Sequence, residues 1–158
     1  MSSSTLQVIA FDFGTSRIGI ASGQSLTGTT TQLAPISAQD GIPDWEQLGH
    51  LINEWNPDAL VVGIPLNMDG SISDMAYRAR KFANRLHERY KTPCFLMDER
   101  LSTSAAKDIH FARGGSNDFK NESVDGIAAQ LILESWFNSD IRIPSHTKLE
   151  EIYDLKRT

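Results

Sequence analysis

The distribution of apolar and polar residues predicts that the chain begins with three neighbouring strands. Apolar residues dominate Leu6–Phe11, and a second apolar run follows at 18–21. Between them, Gly, Thr and Ser at 14–16 break the pattern, which predicts a buried strand, a tight turn and a returning strand. The Thr-rich segment 25–32 is typical of a further, half-exposed strand.

Helices and buried strands alternate through the rest of the chain. Apolar residues at spacings of three and four predict amphipathic helices, whereas short continuous apolar runs predict fully buried parallel strands. The predicted helices are 44–55, beginning at an Asp44 cap, then about 74–90, 102–112 and 124–137, and the two buried strands are 59–64 and 94–97. This order predicts an α/β domain with a five-stranded mixed sheet, an antiparallel meander plus two parallel strands, flanked by helices. We expect a single domain over residues 1–138 and a peripheral C-terminal extension over 139–158.

Composition limits the class of protein. A chain of 158 residues is long enough for one domain with its own core. Cys94 is the single cysteine, which excludes an intramolecular disulfide and favours a reducing compartment. We find no leader-like segment at the N-terminus and no apolar run approaching the ~20 residues of a membrane span. We therefore expect a cytoplasmic protein with no membrane partner. The net charge of −5 argues only weakly against a nucleic-acid partner, because it conceals local patches.

Carboxylates follow the predicted buried strands. Asp12 lies inside the first apolar run, where a carboxylate is costly unless a cation meets it. Asn67 and Asp69 follow the buried strand at 59–64, and Asp98 and Glu99 follow the buried strand at 94–97. The carboxyl ends of parallel strands meet at one edge of a sheet, and Asp125 opens the helix expected to pack beside that edge. Oxygen ligands suit hard divalent cations, and two such ions can hydrolyse a phosphodiester, for which Asp12, Glu99 and Asp125 form the minimum set.

Each of these residues also has a structural interpretation. Asp98 can serve as a turn residue, and Asp125 can simply favour the dipole of its helix. Arg17 and Arg100 can neutralise nearby acids. Basic residues at helical spacing usually form a solvated helix face, and such a face is predicted at Arg78, Lys81, Arg85 and Arg89.

Four motifs, in this order and spacing, resemble those of the YqgF family, also called RuvX. They are AFDFGTSRIGIASG at 10–23, VVGIPLNMDGS at 61–71, DERLSTSAA at 98–106 and VDGIAAQLILESWF at 124–137, and the resemblance extends over about residues 6–138. It implies a ribonuclease-H-like three-layer fold, catalytic and metal-binding acids at Asp12, Glu99 and Asp125, and Mg²⁺ or Mn²⁺ as cofactor. It also marks Thr15, Arg17, Asn67, Arg100 and Ser102 as neighbours of the site.

The same resemblance implies a nuclease that matures the 5′ end of the 16S ribosomal RNA precursor, a family also described as Holliday junction resolvases. The implied partners are structured RNA in ribosomal precursor particles or branched DNA, bound by a monomer or a homodimer. Residues expected to contact the substrate are Arg17, Arg100, Asn67, Lys120, Arg78, Lys81 and Arg85. Family members often carry several lysines in the loop before the last helix, whereas this chain has Lys120 alone.

Two other functions are consistent with parts of the sequence. DFGTSRIG also resembles the phosphate loop of actin-like ATPases, but those proteins need two such domains, and this chain has the length of one and no second copy. A non-catalytic module that binds RNA or protein in ribosome assembly or transcription is the other alternative, against which the three acids argue.

Overall fold

A mixed β-sheet forms the centre of the protein. The computed structural model describes residues 5–101 and 124–155, with side chains over 5–100 and 126–152. The strands are β1 (Gln7–Asp12), β2 (Arg17–Gln24), β3 (Thr30–Gln39), β4 (Ile42–Pro43), β5 (Ala59–Ile64), β6 (Cys94–Asp98) and β7 (Ile143–Pro144). The helices are α1 (Trp45–Trp55), α2 (Asp74–Tyr90), α3 (Val124–Phe137) and α4 (Leu149–Leu155), and a 3₁₀ turn covers Glu99–Leu101.

The sheet order is β4-β3-β2-β1-β5-β6-β7, with β1 at the centre. β1 pairs antiparallel with β2 and parallel with β5, and β5 pairs parallel with β6. The meander and the two added parallel strands confirm the predicted mixed sheet and the α/β class. All three parallel strands therefore end at the same edge of the sheet, where β1 ends at Asp12 and β6 at Asp98.

Helices cover both faces of this sheet. On one face the core contains Ile9 and Phe11 of β1 together with α1 and α2 side chains such as Leu48 and Phe82. On the other face a second core joins Val8 and Ala10 to Ile132, Leu133 and Trp136 of α3. Because successive side chains of a strand point to opposite faces, β1 contributes to both cores. This arrangement confirms the predicted sheet flanked by helices and has the three layers that the resemblance implied.

Local signals place the helix boundaries. The Asp44 carboxylate accepts hydrogen bonds from the backbone N–H groups of Glu46 and Gln47, so the predicted cap of α1 is confirmed. Ser73 caps α2 in the same way through the N–H of Ala76. The helix expected over 102–112 lies outside the described residues.

The predicted strand count was too low. Among the described residues the sheet has seven strands rather than five, because β4 pairs with β3 and β7 pairs with β6 at the two edges. Each of these added strands has two residues, one of them proline. Such short segments show no alternation of apolar and polar residues, so the sequence pattern could not reveal them.

The segment after α3 belongs to the main body of the domain. Ile143, Leu149 and Ile152 are buried in the α1–α2 core, and the Arg80 guanidinium donates to the backbone oxygens of His146 and Thr147. The sequence predicted a peripheral extension here, whereas residues 143–152 are built into the sheet edge and the core. None of the helices in the described ranges combines the length and apolarity that crossing a membrane requires.

Replacing Leu149 by alanine tests this packing. Leu149 is 1% exposed, so Leu149→Ala is expected to lower the free energy of unfolding by about 2–4 kcal/mol. The measurement is urea unfolding followed by circular dichroism. Leu26→Ala is the matched control, since Leu26 is 79% exposed and its truncation should change stability by about 0.5 kcal/mol or less. Equal stability of the two variants would show that α4 does not contribute to the core.

Candidate active site

Two carboxylates, Asp12 and Glu99, meet at the edge where the parallel strands end. Asp12 is the last residue of β1, and Glu99 opens the 3₁₀ turn that directly follows β6. β5 lies between these strands, with Val62 level with Phe11 and Ile64 level with Asp98. The parallel sheet therefore brings together two acids that are 87 positions apart in the sequence.

Both carboxylates lie on the sheet face that α3 covers. Val8 and Ala10 pack on that face, so Asp12, two residues further along the strand, points to it as well. Gly63 of β5 locates Glu99, because a Cβ atom added at Gly63 would lie 2.9 Å from Glu99 Oε2 and would collide with Ile132 of α3. The absence of a side chain at Gly63 thus makes room for both α3 and the Glu99 carboxylate.

Gly63 is a site residue that sequence reasoning missed. A glycine within the buried run ALVVGI is the available signal, since glycine in a strand often marks a close approach of other atoms. That signal does not say which group approaches, because Glu99 is far away in the sequence.

Electrostatic repulsion couples the two acids. The pKa of Glu99 is raised from 4.5 to about 7, first by burial, then by the negative charge of Asp12 and then by that of Asp98. Glu99 is partly rather than fully buried, and Asp12 likewise keeps partial access to solvent. A cation bound between them would lower the energy of the doubly charged pair.

Asp98 has a structural role. Its carboxylate is 1% exposed and forms a salt bridge with Arg100, whose Nη2 lies 2.7 Å from Asp98 Oδ2 and whose Nε donates to both carboxylate oxygens. The backbone N–H of Arg100 also donates to Asp98 Oδ1. This ion pair turns the chain sharply after β6 and so fixes the position of Glu99 between its two members. Arg100 therefore acts as a partner of a nearby acid, one of the two roles that the sequence left open for it.

The third predicted acid, Asp125, lies in the first turn of α3, the helix that covers the face of Asp12 and Glu99. Its side chain is outside the described part of the structure, as are Lys120 and Ser102. Gly126 allows the start of α3 to come very close to Gln32 of β3, so a Cβ atom there would clash with the Gln32 side chain. Within the described side chains, no group of three or more His, Cys, Asp or Glu residues could hold a metal.

Other predicted site residues surround this edge with different degrees of exposure. Arg17 is exposed at the start of β2, while Thr15 is partly buried in the preceding turn. The Asn67 side-chain amide donates to Ser71 Oγ at 2.9 Å in the loop after β5. Asp69 accepts from the backbone and side chain of Ser71, and these hydrogen bonds lower the pKa of Asp69. The loop is thus ordered by its own polar groups.

The predicted basic face of α2 is not uniform. The Arg78 guanidinium donates to the backbone oxygen of Asp40 at 2.6 Å and approaches its carboxylate at 3.2 Å, which attaches α2 to the β3–β4 turn. Lys81 and Arg85 are exposed. Arg78 is therefore engaged with Asp40, whereas Lys81 and Arg85, which follow it on the helix, are exposed to solvent.

The donor chemistry of the acid pair fits a hard divalent cation. Such ions prefer carboxylate oxygens, and an acid whose pKa is raised by burial and by a neighbouring carboxylate is stabilised in its charged form by a bound cation. Asp12 ends β1 and Glu99 directly follows β6, so the sheet holds their backbones in fixed relative positions.

Replacing Glu99 by glutamine tests the cost of holding a charged Glu99 in this buried position beside Asp12. In metal-free protein, Glu99→Gln is expected to raise the free energy of unfolding by about 1–3 kcal/mol above pH 7, allowing for partial exposure. The folded pKa of about 7 lies above the ordinary value of 4.5, so the wild-type protein loses stability as pH rises through this interval. The gain should therefore be complete above pH 7 and absent below pH 4.5.

Urea unfolding in EDTA at several pH values measures this effect. Glu54→Gln is the matched control, because Glu54 is exposed on α1 and its change should alter stability by about 0.5 kcal/mol or less at every pH. A gain that does not depend on pH, or a loss above pH 7, would contradict the raised pKa of Glu99 and its assigned causes, burial and the charge of Asp12.

Comparison with known proteins gives consistent matches. The sequence model of the RuvX family, described as "Holliday junction resolvase", matches residues 6–139. A protein of Chromohalobacter salexigens named "Putative pre-16S rRNA nuclease" is 59% identical over 133 residues, covering 84% of this chain and 90% of its own length. A protein of the same name from Glaesserella parasuis is 58% identical over 130 residues, covering 82% and 94%.

Solved structures give the same fold. RuvC of Thermus thermophilus, solved in complex with a Holliday junction substrate, has a TM-score of 0.58 at 14% identity, covering 88% of this chain and 99% of its own. The fowlpox virus Holliday junction resolvase has a TM-score of 0.53 at 13% identity, covering 84% and 99%. These likenesses confirm the predicted fold kind. The extent of the family match and the identity to the curated relatives show that the chain belongs to the RuvX family and is, by enzyme class, a nuclease.

Proposed function

We propose that this protein is a metal-dependent nuclease that hydrolyses phosphodiester bonds in structured RNA and matures the 5′ end of the 16S ribosomal RNA precursor. The observation that supports this most directly is the pairing of Asp12 and Glu99 at one sheet edge, with the pKa of Glu99 raised to about 7. Two acids held in mutual repulsion beside a partly open edge suit cation binding and phosphodiester chemistry better than a purely structural role.

Asp12, Glu99 and Asp125 would hold Mg²⁺ or Mn²⁺ through their carboxylate oxygens. When bound, such an ion lowers the pKa of a water molecule and offsets the negative charge that develops on the phosphate in hydrolysis. Asp12 and Glu99 supply two negative charges from adjacent regions of the sheet, and Asp125 would add a third from the first turn of α3.

The chain's own residues would orient the substrate around this centre. Arg17 is exposed at the start of β2, just after the turn that follows Asp12, and its guanidinium would contact a phosphate of the substrate. Asn67 stands in the ordered loop after β5, at the same edge of the sheet, where its exposed side chain can contact the sugar or phosphate. Gly63, which has no side chain, leaves the space that the Glu99 carboxylate occupies beside β5. Lys120 remains a predicted phosphate contact.

The names of the curated relatives support RNA as the substrate. Relatives more than half identical to this chain are named for a nuclease of the 16S precursor. The family description names Holliday junctions, and the likeness to RuvC lies in the fold. We therefore propose that the protein acts on ribosomal precursor particles in the cytoplasm. A four-way DNA junction is the comparison substrate.

Replacing Asp12 by asparagine tests this function. Asp12→Asn is expected to reduce cleavage of a 16S precursor RNA fragment by at least about two orders of magnitude with Mg²⁺ or Mn²⁺, because it removes a central anionic ligand. The melting temperature should hold or rise, since the substitution also removes a charge that repels Glu99. Gel analysis of single-turnover cleavage, with a four-way junction assayed alongside, is the measurement.

Asp58→Asn is the matched control. Asp58 precedes β5 at the opposite end of the strand, and its carboxylate accepts from the Gln7 backbone N–H, a bond that asparagine can retain. This variant should cleave like the wild type. Wild-type cleavage by Asp12→Asn would refute the assignment of Asp12, and cleavage of the junction in preference to the RNA would refute the assigned substrate.

A further inference from the structure

A groove runs along α2 beside the β3–β4 hairpin, on the sheet face opposite the Asp12 and Glu99 carboxylates, and its inner end reaches the sheet edge where β1 ends. We define the α2 groove by Lys81, Arg85 and Arg89 on the helix, Ile42 of β4, Trp45 at the start of α1, and Phe13 at its inner end. One part has a volume of about 220 Å³ and lies between Phe13 and Arg85, and the adjoining part, about 370 Å³, extends from Arg85 to Trp45 and Arg89. Phe13 directly follows Asp12, and its ring packs on the α1–α2 side of the sheet, so the inner end of the groove lies at the same sheet edge as Asp12 but on the opposite face.

The wall of the groove is positive. Lys81, Arg85 and Arg89 recur every four residues, which places their Cα atoms about 6 Å apart along the helix axis. This spacing is similar to that of successive phosphates on an extended nucleic-acid strand. Lys81 and Arg85 are exposed, and within the described residues no ion pair or hydrogen bond holds their side chains.

Acids in the same region leave this positive charge largely uncompensated. Asp40 is paired with Arg78, and the Asp44 carboxylate accepts the first N–H groups of α1. Glu88 lines the outer part of the groove and offsets one of the three cations. The α2 groove therefore keeps a net positive charge in a protein whose total charge is −5.

The floor and the opposite wall are apolar and aromatic. Phe82 forms the floor and lies against Phe13, with ring centroids 5.4 Å apart. Ile42 is 55% exposed on the hairpin side. At the outer end the Arg89 guanidinium stacks over the Trp45 ring at 3.9 Å, which forms a flat cationic platform. Flat cationic and aromatic surfaces bind unpaired bases, whose faces a duplex conceals.

The hairpin that forms the opposite wall is rigidly attached. The Gly41 N–H donates to the backbone oxygen of Thr15 at 2.8 Å, and Arg78 donates to the backbone oxygen of Asp40. Gly41 has a φ of +82°, and a Cβ atom there would lie 2.7 Å from Arg78 Nη2 and 3.1 Å from Phe13 Cζ. Arg78 thus attaches the wall of the groove to α2, and the Gly41–Thr15 hydrogen bond joins that wall to the turn between Asp12 and Arg17.

We infer that the α2 groove binds a single-stranded segment of the RNA substrate, with Lys81 and Arg85 on successive phosphates and the Trp45–Arg89 platform under a base. This inference rests on the proposed function for the choice of RNA. It extends that function by naming the substrate feature that is recognised, an unpaired strand adjoining the scissile phosphate. In this arrangement Arg78 acts as a positioning residue and does not contact the strand.

Binding without cleavage tests the inference. Fluorescence anisotropy in EDTA would follow a labelled single-stranded RNA of about a dozen nucleotides binding to the full chain over a range of KCl concentrations. Lys81→Ala/Arg85→Ala is expected to weaken binding by about tenfold or more and to reduce the slope of log K against log[KCl] by about 1.4, the release expected for two phosphate contacts. Both residues are exposed, so the variant should keep the wild-type melting temperature.

Lys91→Asn/Lys148→Ala is the matched control, since it removes two exposed positive charges outside the groove, and asparagine tolerates the φ of +56° at position 91. Its affinity and salt slope should equal those of the wild type. The inference is overturned if Lys81→Ala/Arg85→Ala binds like this control. It is also overturned if duplex RNA of the same sequence binds to the wild type as tightly as the single strand. A third contrary result would be that Lys81→Ala/Arg85→Ala loses binding to polyglutamate, a polyanion without bases, but keeps its binding to RNA.

The two proposals fail separately. An inactive wild type that still binds RNA through Lys81 and Arg85 would contradict the proposed hydrolysis alone. An active wild type whose RNA binding does not depend on Lys81 and Arg85 would contradict only the proposed role of the α2 groove.

Discussion

The burial of Glu99 beside a second carboxylate, Asp12, is the constraint on which the rest of the site depends. Parallel pairing of β1, β5 and β6 brings both carboxylates to one edge, and burial together with mutual charge raises the pKa of Glu99 to about 7. Without a bound cation, this arrangement lowers the stability of the folded protein, because a charged Glu99 is both buried and close to Asp12. A divalent cation that completes the site would offset this cost, because the same two charges then become favourable ligands.

Several structural features maintain this arrangement. The buried ion pair of Asp98 and Arg100 turns the chain after β6 and holds Glu99 in place. Gly63 leaves space for the Glu99 carboxylate and for Ile132, so α3 can approach the sheet closely. On the opposite face, the hairpin held by Arg78 contacts the turn that follows Asp12. The site is therefore supported from both faces of the sheet, and the α2 groove lies on the side of α1 and α2.

The sequence predicted the elements whose signals are local. The apolar runs of β1, β5 and β6, the amphipathic α1 and α2, and the Asp44 cap all follow from spacing and residue type, and the structure confirms them. Placing Asp12 and Glu99 at one edge required only the rule that parallel strands end together. Features that depend on tertiary contacts were beyond such reasoning, because the partner is remote in the sequence. Three features are of this kind: the close approach of the Glu99 carboxylate to Gly63, the contact of Arg78 with Asp40, and the burial of Leu149. The edge strands β4 and β7 were missed because two residues show no period.

The most direct test of the central claim is the position of a bound metal. Crystals of the wild-type protein soaked in Mn²⁺ would be measured at the manganese absorption edge, and an anomalous difference map would locate the ion without reference to activity. We predict a peak within about 2.0–2.6 Å of carboxylate oxygens of both Asp12 and Glu99. A well-ordered map in which these two carboxylates contact each other, with no manganese between them, would contradict the account.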